Sequence, residues 1–171
     1  MRYSLSFVTS LPDPGAFHQM MVQFFSIMAP KLAAAGGPDL SVEDLAAKAL
    51  DRADQLCPPD GRLLLATDED GALCGCGTIR RIRPDAAELK KMFVRPDMQG
   101  RGLGRHLFER RVNEARNMGC RTLYADTIRG NRPMLTMYET FGFSYIDRYP
   151  ENANPEAYAP FLVFLEYTFP D

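Results

Sequence analysis

No stretch of the chain approaches the roughly 18 consecutive apolar residues that a membrane helix needs, so nothing in it is expected to span a bilayer. An excess of basic charge is missing too. Twenty Lys and Arg stand against 22 Asp and Glu, a formal net charge of -2. That gives no long-range attraction for a polyanion, and nucleic acid is not an implied partner. Cysteine is sparse: Cys57, Cys74, Cys76 and Cys120. Cys74 and Cys76 lie two apart on an expected strand and point the same way, but no His or further Cys lies near them in sequence to complete a zinc set. They are expected to be small buried residues, and no metal is expected. The opening MRYSLSF lacks the apolar run and small-residue cleavage site of a signal peptide, which makes a reduced, cytoplasmic setting the expectation. What the chain does have is apolar substance: 46% of 171 residues. That supports one compact domain, residues 1–171, with a real core.

Patterning then orders the elements. Residues Tyr3 to Thr9 read as a first strand, closed by Pro12 and Pro14. Phe17, Met20, Met21, Phe24, Phe25 and Met28 recur at helical spacing; Pro30 kinks or ends that helix, and Gly36 and Gly37 stop it at the latest. Ser41 caps a second helix, with Asp44 at its third position, running to about Leu56. Leu63–Thr67, Ala72–Arg80 and Ala87–Val94 read as three strands of a meander, with Gly75 and Gly77 marking a bulge or close approach. A helix over Leu103–Met118 buries Leu103, Leu107, Phe108, Val112 and Ala115. Thr122–Thr127 follows as a strand, parallel to the fourth through a right-handed crossover. A short helix over Pro133–Phe141 is stopped by Gly142, and Phe143–Arg148 and Phe161–Thr168 are the last strands, separated by a polar, proline-bearing loop. The order implies an α+β fold with a mixed, mostly antiparallel central sheet flanked by helices.

The stretch MFVRPDMQGRGLGR, Met92 to Arg105, carries the chemistry. A strand runs into closely spaced Gly100, Gly102 and Gly104 and then into a helix. The N–H groups of a first helical turn lack partners and carry partial positive charge, so a phosphate suits that place. Arg101 and Arg105 add formal charge beside it. A dinucleotide fingerprint fails because its third glycine position holds Arg105, and a P-loop fails because Gly104 is followed by Arg105 and His106. What remains is Gln99-x-x-Gly102-x-Gly104, or simply a helix start with glycines for close packing.

That turn resembles the acetyl-CoA pyrophosphate turn of the GNAT superfamily of N-acetyltransferases, and the likeness continues on either side. Glu88 to Pro96 resembles the family's fourth strand. Asn131 lies seven residues before Tyr138, and Tyr138-Glu139-Thr140-Phe141-Gly142-Phe143 is similar to the family's Tyr-x-x-x-Gly-Phe ending. The resemblance implies the GNAT fold, acetyl-CoA as cosubstrate and transfer of acetyl to an amine. It implies that the backbone at Met92, Phe93 and Val94 meets the acetyl and pantetheine portions, that Gln99, Gly100, Arg101, Gly102, Leu103, Gly104 and Arg105 hold the pyrophosphate, and that Asn131 and Tyr138 complete the cofactor side. It covers Ala66 to Tyr145 closely and the rest more loosely.

An aliphatic amine has a pKa of about 10, so a group that takes its proton is expected. Glu88 stands where several GNAT enzymes carry a basic glutamate. It also suits a strand-edge partner for Lys90, or a site for the substrate's ammonium. Glu114, Glu139 and Asp126 are the other carboxylate candidates. Tyr138 stands where the family places a phenol near the coenzyme sulfur, as acid for the leaving thiolate, and it also suits a core aromatic. Direct attack is expected, without a covalent enzyme intermediate. Arg80, Arg81 and Arg83 suit a carboxylate or phosphate on the acceptor, or else a solvated face. With Tyr145, Tyr149, Asn152, Asn154 and Tyr158 they point to a small polar amine, one carrying a carboxylate included. A protein or peptide amine and a noncatalytic CoA-binding module remain alternatives. The apolar run Phe161 to Leu165 fits either the central sheet or the interface of a homodimer.

Overall fold

The computed structural model describes residues 2–170; the two end residues of the 1–171 domain reading lie outside that range. All strands join one seven-stranded sheet in the order β1-β2-β3-β4-β5-β7-β6: β1 (Tyr3–Val8), β2 (Gly61–Asp68), β3 (Leu73–Arg83), β4 (Ala86–Val94), β5 (Thr122–Ile128), β6 (Ser144–Ile146) and β7 (Leu162–Thr168). Among the described residues only β4 and β5 pair in parallel, as the crossover helix between them requires. The α+β expectation of a mixed, mostly antiparallel sheet holds. The run Phe161 to Leu165 enters the sheet, because β7 lies between β5 and β6.

Four helices cover the sheet: α1 (Pro14–Ala34), α2 (Val42–Asp51), α3 (Leu103–Asn117) and α4 (Arg132–Thr140). Asp13 caps α1 by accepting the Ala16 N–H at 2.9 Å. The helix then continues through Pro30, past the point where its sequence suggested a break. Buried Ala29 and Leu32 flank the proline and hold that turn against the protein. The Leu32 carbonyl accepts from Ala35 and Gly37 as Gly36 turns left-handed at φ 90°. Ser41 caps α2 as expected, accepting the Asp44 N–H at 3.2 Å, but the helix gives way to a 3-10 turn at Ala53–Leu56.

Burial explains why β2 reads as an unbroken apolar run. Leu63 and Leu65 pack with Phe17, Met21 and Ala46 of α1 and α2. Leu64 and Ala66 pack with Leu103 and Leu107 of α3. Both faces are covered, so alternation disappears. The third cluster joins Phe108, Leu123, Ala125, Tyr138, Phe143 and Leu165, binding α3 and α4 to the other half of the sheet.

Two irregularities in β4 shape the centre of the sheet. Its pairing with β5 runs only from Ala86↔Thr122 to Leu89↔Ala125, although β4 continues to Val94 and β5 to Ile128. The two strands part there. On its other side β4 slips in register, from Thr78↔Lys90 to Cys76↔Phe93. One residue of β3, Gly77, thus faces two of β4, Lys91 and Met92. The extra residue is Lys91, at φ 49°, a conformation that costs a residue other than glycine.

Candidate active site

Where β4 and β5 part, a cavity of about 200 Å³ opens. One wall is strand: Lys90, Lys91 and Met92 from β4, Asp126, Thr127 and Ile128 from β5. Asn131, Met134 and Tyr138 bring α4 to it, and Phe24, Phe25, Met28 and Leu32 bring α1. Beyond Leu89 the β5-facing backbone of β4 has no strand partner. Unpaired peptide groups at the edge of an apolar cavity are ready to pair with a ligand.

The glycine turn lies past the far end of β4. Gly100 and Gly102 have φ of 73° and 83°, so the turn requires residues that tolerate the left-handed region. The first amide of α3 to bond back is that of His106, to the Gly102 carbonyl at 3.0 Å. The N–H groups of Leu103, Gly104 and Arg105 precede it without intrahelical acceptors. A Cβ on Gly104 would lie 3.4 Å from the Met92 methyl and 3.7 Å from Val94 Cγ2. That glycine therefore borders the groove between the end of β4 and α4. The Gln99 amide donates to the Val94 carbonyl at 3.1 Å and ties the turn to the strand. Arg101 is exposed, and Arg105 pairs with Glu109 on its own helix at 2.7 Å. These features fit a CoA pyrophosphate, with free N–H groups at the turn and an open strand edge leading from it to the cavity.

A family model described as "Acetyltransferase (GNAT) family" matches residues 30–143. The chain belongs to the GNAT family. A protein named IAA acetyltransferase from Azospirillum brasilense is 35% identical over 112 residues, 65% of this chain and 70% of that protein. An uncharacterized N-acetyltransferase of Schizosaccharomyces pombe is 31% identical over 99 residues, 57% of this chain and 61% of that one. A ribosomal protein bS18-alanine N-acetyltransferase of Salmonella typhimurium is 36% identical over 66 residues, 39% of this chain and 45% of that one. The chain spans about three fifths of the length of the Schizosaccharomyces pombe relative. Among solved structures, a GNAT-family acetyltransferase from Staphylococcus aureus aligns with a TM-score of 0.74 at 16% identity, over 96% of this chain and 99% of that one. An N-acetyltransferase from Thermoplasma acidophilum in complex with coenzyme A aligns with a TM-score of 0.70 at 16% identity, over 99% and 100%. At such identity these two likenesses show the GNAT fold.

Within this GNAT site, Glu88, the expected base, lies behind the cavity wall. It is fully buried and does not line the cavity. Its carboxylate is saturated with donors: Arg80 Nε and Nη2 at 3.0 and 2.8 Å, Tyr149 O–H at 2.6 Å, Asn152 Nδ2 at 3.2 Å and the Ala153 N–H at 3.3 Å. Lys90 Nζ stands 3.8 Å away. A carboxylate so surrounded fastens the loop after β6 to β4. Asp126 is the carboxylate that does line the cavity. It accepts from Lys90 Nζ at 2.8 Å, from Asn152 at 2.8 Å and from Asn154 at 2.9 Å. Glu114 pairs with Arg62 instead, and Glu139 accepts from Tyr145; neither lines the cavity.

Tyr138 is buried at the cavity wall, its ring packed against Phe108 and Phe143. Its hydroxyl makes no hydrogen bond with protein among the described residues. Burial, aided by the charges of Asp126 and Glu88, pushes its pKa up, with Arg111 opposing. The phenol is therefore a neutral donor at physiological pH. The Asn131 carboxamide spans two elements, accepting from Lys31 Nζ at 2.9 Å and donating to Thr127 Oγ1 at 2.9 Å. The four cysteines are all buried and free. None of them lines the cavity, and burial raises each of their pKa values, that of Cys76 to about 12.

Arg80, Arg81 and Arg83, expected either to bind an acceptor anion or to form a solvated face, are partly exposed and bonded within the protein. Arg80 holds Glu88 and the Glu151 carbonyl, Arg81 the carbonyls of Pro84 and Met118, and Arg83 the Glu151 carboxylate and Tyr124 hydroxyl. None lines the cavity. Of the polar loop, Asn154 and Tyr158 reach it, while Tyr149 and Asn152 are spent on Glu88. Sequence reasoning missed Lys91, which lines the cavity with Lys90 and whose pKa burial and Lys90 lower; only its place beside the family's strand motif signalled it.

Proposed function

We propose that the protein transfers an acetyl group from acetyl-CoA to the primary amine of an acceptor with an apolar body. The observation that carries this reading is the composition of the cavity. Tyr138 and Asp126 stand at the parting strands, while Phe24, Phe25, Met28, Leu32, Leu40 and Leu45 form a continuous apolar side beneath α1 and α2. The arginines that had suggested a small polar acceptor are engaged elsewhere, and the lining favours hydrocarbon or aromatic bulk behind the amine.

In this reading the acetyl carbonyl lies along the open edge of β4, whose free N–H groups meet the oxygen as it gains negative charge. Asp126 draws the acceptor's ammonium to the cavity and takes its proton, directly or through water. The neutral nitrogen attacks the thioester carbon. As the C–S bond breaks, Tyr138 gives its proton to the departing sulfur, and the second proton shed by the newly acylated nitrogen returns through water to the Tyr138 oxygen. Glu88 acts from behind, keeping Asn152 and Lys90 in place against Asp126.

The test is thiol release from acetyl-CoA, with product mass read for one added acetyl group. The acceptor panel is alkyl and aryl-alkyl amines of increasing bulk, polyamines, amino acids and N-terminal peptides. Turnover that rises with apolar bulk supports the reading. Preference for polyamines or amino acids with short side chains removes the apolar acceptor, and CoA binding without transfer to any amine removes the enzyme.

A further inference from the structure

On the α3 face turned to the sheet lies a guanidinium that takes no part in the proposed proton transfers. Arg111 is fully buried and ranks first in volume among side chains with almost no exposure. Among the described residues no carboxylate pairs with it. Its donors go instead to main-chain carbonyls: Leu107 at 3.3 Å, Thr78 at 3.4 Å and Lys90 at 3.3 Å, with Met92 Sδ at 2.9 Å. Thr78 and Lys90 are opposite partners at the edge of the β4 bulge, and Met92 lies on its other side. The arginine thus bridges β3 and β4 where their register slips. Room for it comes from Gly77, where a Cβ would stand 2.6 Å from Arg111 Nε and 2.7 Å from its Cδ.

A charge buried without a counter-ion is poorly justified by stability, since apolar residues of similar volume often replace buried ionic groups without loss. Its surroundings suggest another use. Burial lowers the Arg111 pKa, but a guanidinium stays charged at neutral pH; it stands 5.7 Å over the Phe108 ring, which in turn packs edge-on against Tyr138 with ring centroids 5.5 Å apart. Negative charge that develops beside Tyr138, first on the thioester oxygen and then on sulfur, arises within the field of this fixed cation. In a dry interior such a field is screened little.

We infer that Arg111 is a positioning residue for acetyl transfer, holding the β4 bulge in its active shape and keeping a fixed positive charge behind Tyr138. The inference rests on the acetyl-transfer reading.

The experiment compares wild type with Arg111→Met, Arg111→Lys and Gly77→Ala, measuring thermal unfolding, kcat, and KM for acetyl-CoA. Arg111→Met removes the charge while keeping apolar bulk. We expect it to unfold no earlier than wild type, with kcat down at least about 10-fold and KM for acetyl-CoA within about 3-fold. Arg111→Lys restores the charge without the fork and recovers part of kcat. Gly77→Ala keeps the arginine but displaces it, and also lowers kcat with little change in KM; it decides the matter if Arg111→Met does not fold. Unchanged kcat in Arg111→Met, or in Gly77→Ala where Met does not fold, overturns the inference while leaving acetyl transfer intact. So does a rate loss that merely follows lost stability in every variant. A wild-type protein that transfers no acetyl group overturns both.

Discussion

Tyr138 and Asp126 differ in what surrounds them, and that difference sets what each variant will show. The Tyr138 hydroxyl is a donor with no protein partner at the cavity wall among the described residues, so Tyr138→Phe removes a proton source without breaking a contact that holds the fold. We expect kcat to fall about 10²-fold, within the range typical of a lost general acid, with KM for acetyl-CoA nearly unchanged in steady-state assays. Asp126 and Glu88 separate by location. Asp126→Asn at the cavity should lower kcat by about 10²-fold or more with the preferred amine. Glu88→Gln weakens the hold of Arg80 and Lys90 on a carboxylate away from the cavity, and should show chiefly as a raised acceptor KM as the loop bearing Asn152 and Asn154 loosens. Equal kcat losses in both variants, with acceptor KM untouched, would return the base role to Glu88. The buried phenols also set an alkaline limit. Tyr149 is pushed up by burial and by the Glu88 carboxylate against its hydroxyl, and Tyr138 by burial. Raised folded-state values mean that their contribution is complete below the unfolded phenol pKa of about 10 and is lost as pH rises beyond it. Urea titrations at pH 9 and pH 11 should show a marked drop, and Tyr149→Phe should reduce it.

The glycine turn and the parting of β4 from β5 are properties of elements, and the sequence reported them unequally. The turn was legible because left-handed backbone selects glycine at Gly100 and Gly102 and leaves that choice in the letters. Helix caps at Ser41 and Gly142 were legible for the same local reason. Gly77 marked the register slip between β3 and β4, but that Lys91 takes the positive φ was not legible, since no local preference puts lysine there. Arg111 left a fainter trace. It stands four residues from both Leu107 and Ala115 on the buried face of α3, opposite a glycine that a strand does not otherwise want. Glu88 misled because strand position alone cannot show that a distant loop has filled its lone pairs. Gly104 gives the test at this scale. It is helical, and a Cβ there meets only Met92, Val94 and Met137 at 3.4 Å or more. Gly104→Ala should therefore leave stability unchanged or raise it by up to about 1 kcal/mol. If the turn holds the pyrophosphate as proposed, the same methyl group stands in its way, and Kd for CoA should rise about 10-fold or more by calorimetry. Weaker binding together with lower stability would mean that the glycine serves packing.

At the scale of the molecule, the sheet is two halves joined by a short seam. β1 to β4 carry α1 and α2; α3 packs against both halves, with Phe108 among Ala87, Leu89, Leu123 and Leu165; α4 packs on the β5 and β7 side; and the parallel register between the halves ends at Leu89↔Ala125. Beyond it, contact between the halves passes through the polar bridge from Lys90 to Asp126 and through side chains around the cavity. A fold with its central ladder left open loses backbone pairing that a continuous sheet would have, and a ligand lying along the open edge of β4 restores part of it. CoA should therefore act on the whole fold as well as on its own contacts. At 100 times its Kd, binding to the folded state alone contributes about 2.7 kcal/mol, which for a chain of this size corresponds to a rise in Tm of about 5–10 °C. Any ligand of that affinity would do as much, so the informative measurement is where protection appears. Hydrogen exchange should slow at Lys90 to Val94 and also at Asp126 to Ile128 across the gap, while β1 and β6 at the sheet edges stay as they were. Protection confined to the glycine turn, with the parted strands unchanged, would mean that CoA is held by its pyrophosphate alone and that the open seam serves the acceptor instead.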